Sequence, residues 1–377
     1  MSDQPLVVVA MSGGVDSSVA AALLVEKGYR VAGMMLRLWS EAGHEGENGC
    51  CTPDAMAQAR RVAAMLGIPF YALDAREKFR GSVVQGFLDG YSSGVTPNPC
   101  ILCNRSIRWG FLLEQALAVG AAYMATGHYG RLRTNAYGKI ELLRARDLHK
   151  DQSYVLGALN QDQLAHTLLP LGELTKPEVR ELARKYNLPV AERPDSQDLC
   201  FLGQEDYRAF LARHIPEVTQ PGEIVTRAGK VLGKHAGLAF YTIGQRKGLG
   251  ISSPEPLYVL GKNPATNQLV VGSECELGQQ EMQVEELSWI AGAAPEGVSR
   301  VEVKIRYKAT LAPAQIELMP GGTVRVKFGE PARDITPGQL AVFYQDEMVL
   351  GSGWIRKDAS EATQFAPADM DNGRGIQ

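Results

Sequence analysis

The first half of the chain alternates short apolar runs with amphipathic stretches of helical length. Residues 6–11 read as a strand, the spacing behind them predicts a helix to about Lys27 that Gly28 stops, and residues 31–36 read as the next strand. The alternation continues. Met56, Ala59, Ala63 and Leu66 fall at helical spacing within residues 54–66, Gly67 ends that run, and residues 68–73 are strand-like. A further helix is predicted over residues 105–118, followed by Gly120 and a strand at 123–126. Strands separated by helix-length segments imply an α/β fold with a doubly wound parallel sheet, which binds ligands at the carboxyl ends of its strands.

The texture changes later. Residues 176–186 and 206–214 carry helical patterns, and from Pro221 onward glycine, proline and short β-like runs dominate: residues 223–225, a turn at Ala228-Gly229, and residues 268–271. Residues 301–308 and 323–328 then alternate apolar and charged positions with period two, so one face is core and the other wet and basic. That pattern predicts a small antiparallel β-barrel. The expected organisation is an α/β domain with a helical extension over 1–205, a small central β-rich domain over 206–277, the barrel over 278–357, and a tail over 358–377 too poor in apolar residues to fold.

With 377 residues of which 45% are hydrophobic, the chain can build more than one core. The first residues show no basic and apolar leader, and no window is long and apolar enough to span a membrane. Six cysteines in such a chain point to a reducing compartment, so the protein is expected in the cytoplasm, without membrane partners. The net charge of −3 neither supports nor excludes a nucleic-acid partner.

Candidate chemistry begins at Ser12-Gly13-Gly14-Val15-Asp16-Ser17-Ser18, between the first strand and the first helix. Adjacent glycines let the backbone approach an anion, and the helix N-terminus points its N–H groups and dipole at it. No Gly-Lys-Ser/Thr follows, so this is not a Walker loop, and the glycines are not spaced as in a dinucleotide fingerprint. The segment resembles the pyrophosphate loop of the PP-loop ATP pyrophosphatases, which implies an ATP site at Ala10, Met11, Ser12, Gly13, Gly14, Val15, Asp16 and Ser17, with Leu36 and Gly127 beside it. Magnesium is expected with the nucleotide, near Asp16.

Thr96-Pro97-Asn98-Pro99-Cys100-Ile101-Leu102-Cys103-Asn104 is the second informative segment. Its two prolines argue for a stiff loop, with Cys103 at its end just before the helical pattern and Arg105 and Arg108 nearby, a setting that favours thiolate. Cys200 lies in another loop, 194–201. Cys50-Cys51 reads as packing at a helix entry and Cys275 as structural, and the histidines show no metal-ligand spacing with one another.

Together with residues 125–129, 150–154 and 241–250, these motifs resemble the tRNA-specific 2-thiouridylases over nearly the whole chain to about Ile355. That family replaces the 2-oxygen of the wobble uridine with sulfur. The resemblance implies a persulfide on Cys200, Cys103 as second catalytic thiol, a protein that donates persulfide sulfur, and tRNA as partner. It also implies tRNA contacts at Asn98, Pro99, Cys100, His128, Lys150, Asp151, Gln152, Arg306, Tyr307 and Gln339. One departure stands out. Much of the family has Asn-Pro-Asp-x-x-Cys where this chain has Cys100, and a thiol does not replace that carboxylate in acid–base work at neutral pH. Cys100, Cys103 and Cys200 would instead suit an iron–sulfur cluster with an open iron. A ligase or amidotransferase acting on a small substrate is a further reading of the loop alone, but it leaves both thiols without a task.

Overall fold

The computed structural model describes residues 4–41, 52–195, 199–203 and 205–357; the expectations for Cys50-Cys51 and for the tail 358–377 lie outside them. Seven strands belong to the first region: β1 (Leu6–Ala10), β2 (Arg30–Arg37), β3 (Phe70–Asp74), β4 (Tyr123–Ala125), β5 (Arg131–Thr134), β6 (Ile140–Leu143) and β7 (Thr167–Leu168). Five of them form a parallel sheet in the order β3-β2-β1-β4-β7. The period-two placement of side chains splits the sheet between two cores. Val7 and Val9 of β1 face one core with helices α1 (Val15–Glu26), α2 (Pro53–Met65) and Lys176–Lys185, whereas Val8 faces another with Trp109, Leu112, Met124 and Tyr154. Helices therefore cover both faces, as the alternating pattern predicts.

The central region is a sheet of β8 (Gly222–Thr226), β9 (Val231–His235), β10 (Tyr258–Asn263) and β11 (Gln268–Gly272) in the order β10-β11-β8-β9. Strands β12 (Gln279–Trp289), β13 (Val298–Lys304), β14 (Ala312–Met319), β15 (Thr323–Ala332), β16 (Leu340–Gln345) and β17 (Met348–Ile355) follow. They run β12-β15-β14-β13-β16-β17, and pairing of β12 with β17 closes them into a six-stranded antiparallel barrel. The barrel is tied to the first region. β6 adds to β17 through Leu143↔Met348 and Leu142↔Val349, and Leu340, Val342, Tyr344 and Val349 share a core with Val8 and Trp109.

Three local expectations are corrected. The helix expected from Arg105 begins at Pro99, because Asn98 caps it by accepting a hydrogen bond from the Ile101 N–H at 3.4 Å and proline is tolerated at the first helical position. Cys100 thus sits in the first turn and Cys103 in the second. The strand expected through Lys308 ends at Lys304, because Arg306 turns away to donate to the Ile243 carbonyl at 2.8 Å and to the Thr336 hydroxyl. Cys275, read as structural, is instead exposed in a short turn, 3.1 Å from the Ser273 hydroxyl.

Candidate active site

The loop after β1 is shaped by two close approaches that only glycine permits. Gly13 has φ +73°, and a Cβ there would lie 2.3 Å from the Ala55 carbonyl oxygen in the first turn of α2. A Cβ on Gly127, just past β4, would lie 2.7 Å from the Ser17 nitrogen. The loop after β1 is thereby pressed onto the first turn of α2, and the end of β4 onto the start of α1. Gly14 caps that helix without a side-chain hydrogen bond, the Ser12 N–H donates to the Ser17 hydroxyl at 3.1 Å, and Ser18 donates to the Gly14 carbonyl at 2.8 Å. The first-turn N–H groups of α1 are the groups that an anion would meet.

Electrostatics at this end centre on a residue that the motifs did not single out. Lys176, buried at the start of its helix, puts Nζ 2.7 and 2.8 Å from the two carboxylate oxygens of Asp16 and 2.9 Å from Asp195. Tyr129 donates to Asp16 at 2.8 Å, and Lys150 contacts the other Asp195 oxygen at 2.7 Å. Burial of Asp195 disfavours its charge, but hydrogen bonds from Lys150 and Lys176 outweigh that and hold its carboxyl at about 2. Burial, then the Asp16 charge, pushes the Tyr129 phenol upward, so it stays a donor.

One cleft of about 550 Å³ joins this loop to the thiols. Ala10, Met11, Ser12, Gly14, Val15, Asp16, Ser17, Leu36 and Gly127 line it together with Cys100, Cys103 and Cys200. Cys103 is buried in an aromatic cluster with Phe79, Phe87 and Phe201, and Cys200 packs against the same cluster. The helix winds in wider, i→i+5 turns from Cys103 to Leu112, a distortion common at functional sites. Among the described residues no three His, Cys, Asp or Glu side chains converge enough to hold a metal ion. The three cysteines share the cleft without forming a three-thiolate chelate, and Asp16 is engaged by Lys176 and Tyr129, so the residues by themselves build neither an iron–sulfur site nor a magnesium site.

His128 lines the same cleft. Arg108 Nη1 is 3.1 Å from Nε2, which must accept because a guanidinium only donates, so the proton sits on Nδ1 and is given to the Thr126 hydroxyl at 2.8 Å. Burial, and secondarily the Arg108 charge, drives the imidazole well below its ordinary range and keeps it neutral.

The remaining expected residues separate into two groups. Asn98, Pro99, Lys150, Gln152 and Tyr307 line the cleft with Cys100 and His128. Asp151 is buried, accepting from the Ala145 N–H at 3.0 Å and from the Ser153 hydroxyl at 2.9 Å. Arg306 braces Ile243 and Thr336, and Gln339 donates to the carbonyls of Thr96 at 2.8 Å and Pro97 at 3.3 Å while accepting from Asn98 at 3.2 Å. Motif reading missed Lys176, gave no role to Tyr129 or Asp195, and took Arg108 as a neighbour of Cys103 rather than a partner of His128. The capping box of Thr175 and Glu178 marks where the Lys176 helix begins, but nothing local says that this terminus meets Asp16.

Fold and cleft together define an α/β nucleotide-binding protein of the PP-loop type, with thiols lining the same cleft. Family profiles described as "tRNA methyl transferase HUP domain", "tRNA methyl transferase PRC-barrel domain" and "Aminomethyltransferase beta-barrel domain" match residues 5–204, 208–273 and 279–355. The chain is 48% identical to the tRNA-specific 2-thiouridylase MnmA of Moorella thermoacetica, over 93% of this chain and 99% of that one. It is 47% identical to the enzyme of that name from Desulfitobacterium hafniense, over 94% and 99%, and 44% identical to that from Magnetococcus marinus, over 94% and 100%. The chain belongs to the tRNA-specific 2-thiouridylase family.

Proposed function

We propose that this protein uses ATP to replace the 2-oxygen of the wobble uridine of tRNA with sulfur, in the cytoplasm. The observation that carries the reading is the single cleft that runs from the Ser12 loop to Cys103 and Cys200. A uracil carbonyl oxygen is a poor leaving group. Attack of that oxygen on the α-phosphorus of ATP, with pyrophosphate held by the Ser12–Ser17 loop, turns it into a departing AMP. Lys176, held by Asp16 of that loop, is the cation that would offset the charge gained by pyrophosphate as the α,β-bridge breaks.

Sulfur transfer follows in the same cleft. The terminal sulfur of a Cys200 persulfide attacks C2, AMP leaves with the original oxygen, and the base is left joined to Cys200 through two sulfurs. The Cys103 thiolate then attacks the Cys200 sulfur, breaking that S–S bond, so that the 2-thiolated base departs and a Cys103–Cys200 disulfide remains. Two electrons from an external thiol restore both groups, and a protein carrying a persulfide reloads Cys200. Cys100 has no acid or base role in this sequence. The base must be drawn from its stack to enter the cleft, and Tyr307 at its mouth, 38% exposed, offers a ring for it.

Incubation with ATP, a persulfide source and unmodified tRNA tests the reading. AMP, pyrophosphate and 2-thiouridine should appear in equal amounts and only when tRNA is present. Pyrophosphate release that needs no tRNA, with no thiolated nucleoside in the digest, would point instead to a small-substrate ligase.

A further inference from the structure

A second, smaller cavity lies apart from the cleft, where the three regions of the chain meet. Val95 and Thr96 of the first region, Ile243 and Lys262 of the central region, and Thr336 and Lys357 of the barrel line it. Its volume is about 10 Å³, room for one water-sized group. The chemistry of its wall is lopsided. Lys262, on β10, holds its ammonium nitrogen buried with no hydrogen-bond partner. The second cation at the wall is Lys357, exposed at the rim, which donates to the Ser93 carbonyl at 3.1 Å. Among the described residues no carboxylate lines the cavity.

An unpartnered buried donor is among the costlier features a fold can keep, on the order of 1–3 kcal/mol and more when charged. Burial, then the like charge of Lys357, pushes the Lys262 ammonium down to about 8, so it remains mostly charged at neutral pH. Two ammonium groups with no counter-charge among the described residues ask for an anion, and the volume admits a single oxygen of it. We propose that Lys262 and Lys357 take one oxygen of a phosphate group at this three-way junction.

The site's position gives such binding a consequence. Arg306 fixes two of its walls through the Ile243 carbonyl and the Thr336 hydroxyl. Thr96 donates its N–H to the Pro337 carbonyl at 3.0 Å, and Gln339 holds the Thr96 carbonyl. Gly338, at φ +86°, lets the barrel turn press on Val95, where a Cβ would come within 2.8 Å. The segment so clamped runs directly into Asn98 and the helix that carries Cys100 and Cys103. A phosphate here ties the three regions together behind the thiol helix.

The phosphate comes either from the RNA backbone or from solution; the RNA source rests on the function proposed above and the free ion does not. The full-length wild type, Lys262→Met and Lys357→Ala are compared in two arms: thermal midpoint against inorganic phosphate at constant ionic strength, and affinity for unmodified tRNA against salt. The wild-type midpoint should rise with phosphate, and Lys262→Met should be no less stable than wild type without phosphate and should not respond. If the RNA supplies the group, Lys262→Met also weakens tRNA binding about threefold to tenfold and lowers the salt slope by about one. If the free ion is the ligand, tRNA affinity is unchanged and only the midpoint responds. Equal behaviour of wild type and Lys262→Met in both arms overturns the inference. Should Lys262→Met fail to fold, Lys357→Ala carries the test: a weakened phosphate response supports the site, and an unchanged one removes it. A protein that makes no 2-thiouridine yet shows the Lys262-dependent response would lose the proposed function and keep this site.

Discussion

Lys176 touches two carboxylates from distant parts of the chain, Asp16 of the phosphate loop and Asp195, five residues before Cys200. A cation held this way is preorganised, because its position does not depend on the ligand. Lys176→Met is therefore expected to slow tRNA-dependent pyrophosphate release about 10²-fold, the usual cost of one preorganised charge at a reacting phosphate, as read in a single-turnover assay. A variant within threefold of wild type would remove Lys176 from the account. His128 makes a prediction about pH. Its folded value is depressed, so below about 6.5 the unfolded chain binds a proton that the folded one refuses, and stability falls as pH drops through that point. His128→Gln should flatten the thermal midpoint between pH 7 and pH 5; an unchanged slope would place the titration elsewhere. Ser12, Asp16, Cys103 and Cys200 were legible because each sits in a local pattern. Lys176 was not, since its partner Asp16 is 160 residues away and only the packing of its helix beside α1 joins them.

At the scale of elements, the helix that starts at Pro99 governs the thiols. Reading two prolines as a loop signal was sound for Pro97 and wrong for Pro99, which occupies the first helical position, where its missing N–H has no partner to lose. The β1-loop-α1 unit was legible for the opposite reason: apolar run, glycines and helical spacing all agree. The hairpin β5-β6 escaped notice because its short strands become meaningful only when β6 pairs with β17, about 200 residues further on. Gln339, expected from resemblance to touch tRNA, holds the Thr96 and Pro97 carbonyls and the Asn98 amide. Gln339→Ala should slow thiolation several-fold while tRNA affinity stays within twofold of wild type. A matching loss of affinity would return Gln339 to the RNA surface.

At the scale of the whole molecule, the regions share cores. Barrel residues Val342 and Tyr344 pack with Trp109 and Met124 of the first region, and Tyr154 donates to the Leu340 carbonyl at 2.8 Å. A chain truncated after Leu277 would bare that core and the β6 edge, and it is expected to aggregate rather than survive as a soluble α/β domain. A monomeric truncated protein with an unchanged thermal midpoint would show the regions to be independent. The central claim is that one cleft holds two separable half-reactions, adenylation at the Ser12 loop and sulfur transfer at Cys200. The direct measurement is a single turnover of Cys200→Ser with ATP and unmodified tRNA, following pyrophosphate and 2-thiouridine together. Pyrophosphate release near the wild-type level with no 2-thiouridine formed is the expected result; 2-thiouridine produced without Cys200 would overturn the two-step mechanism.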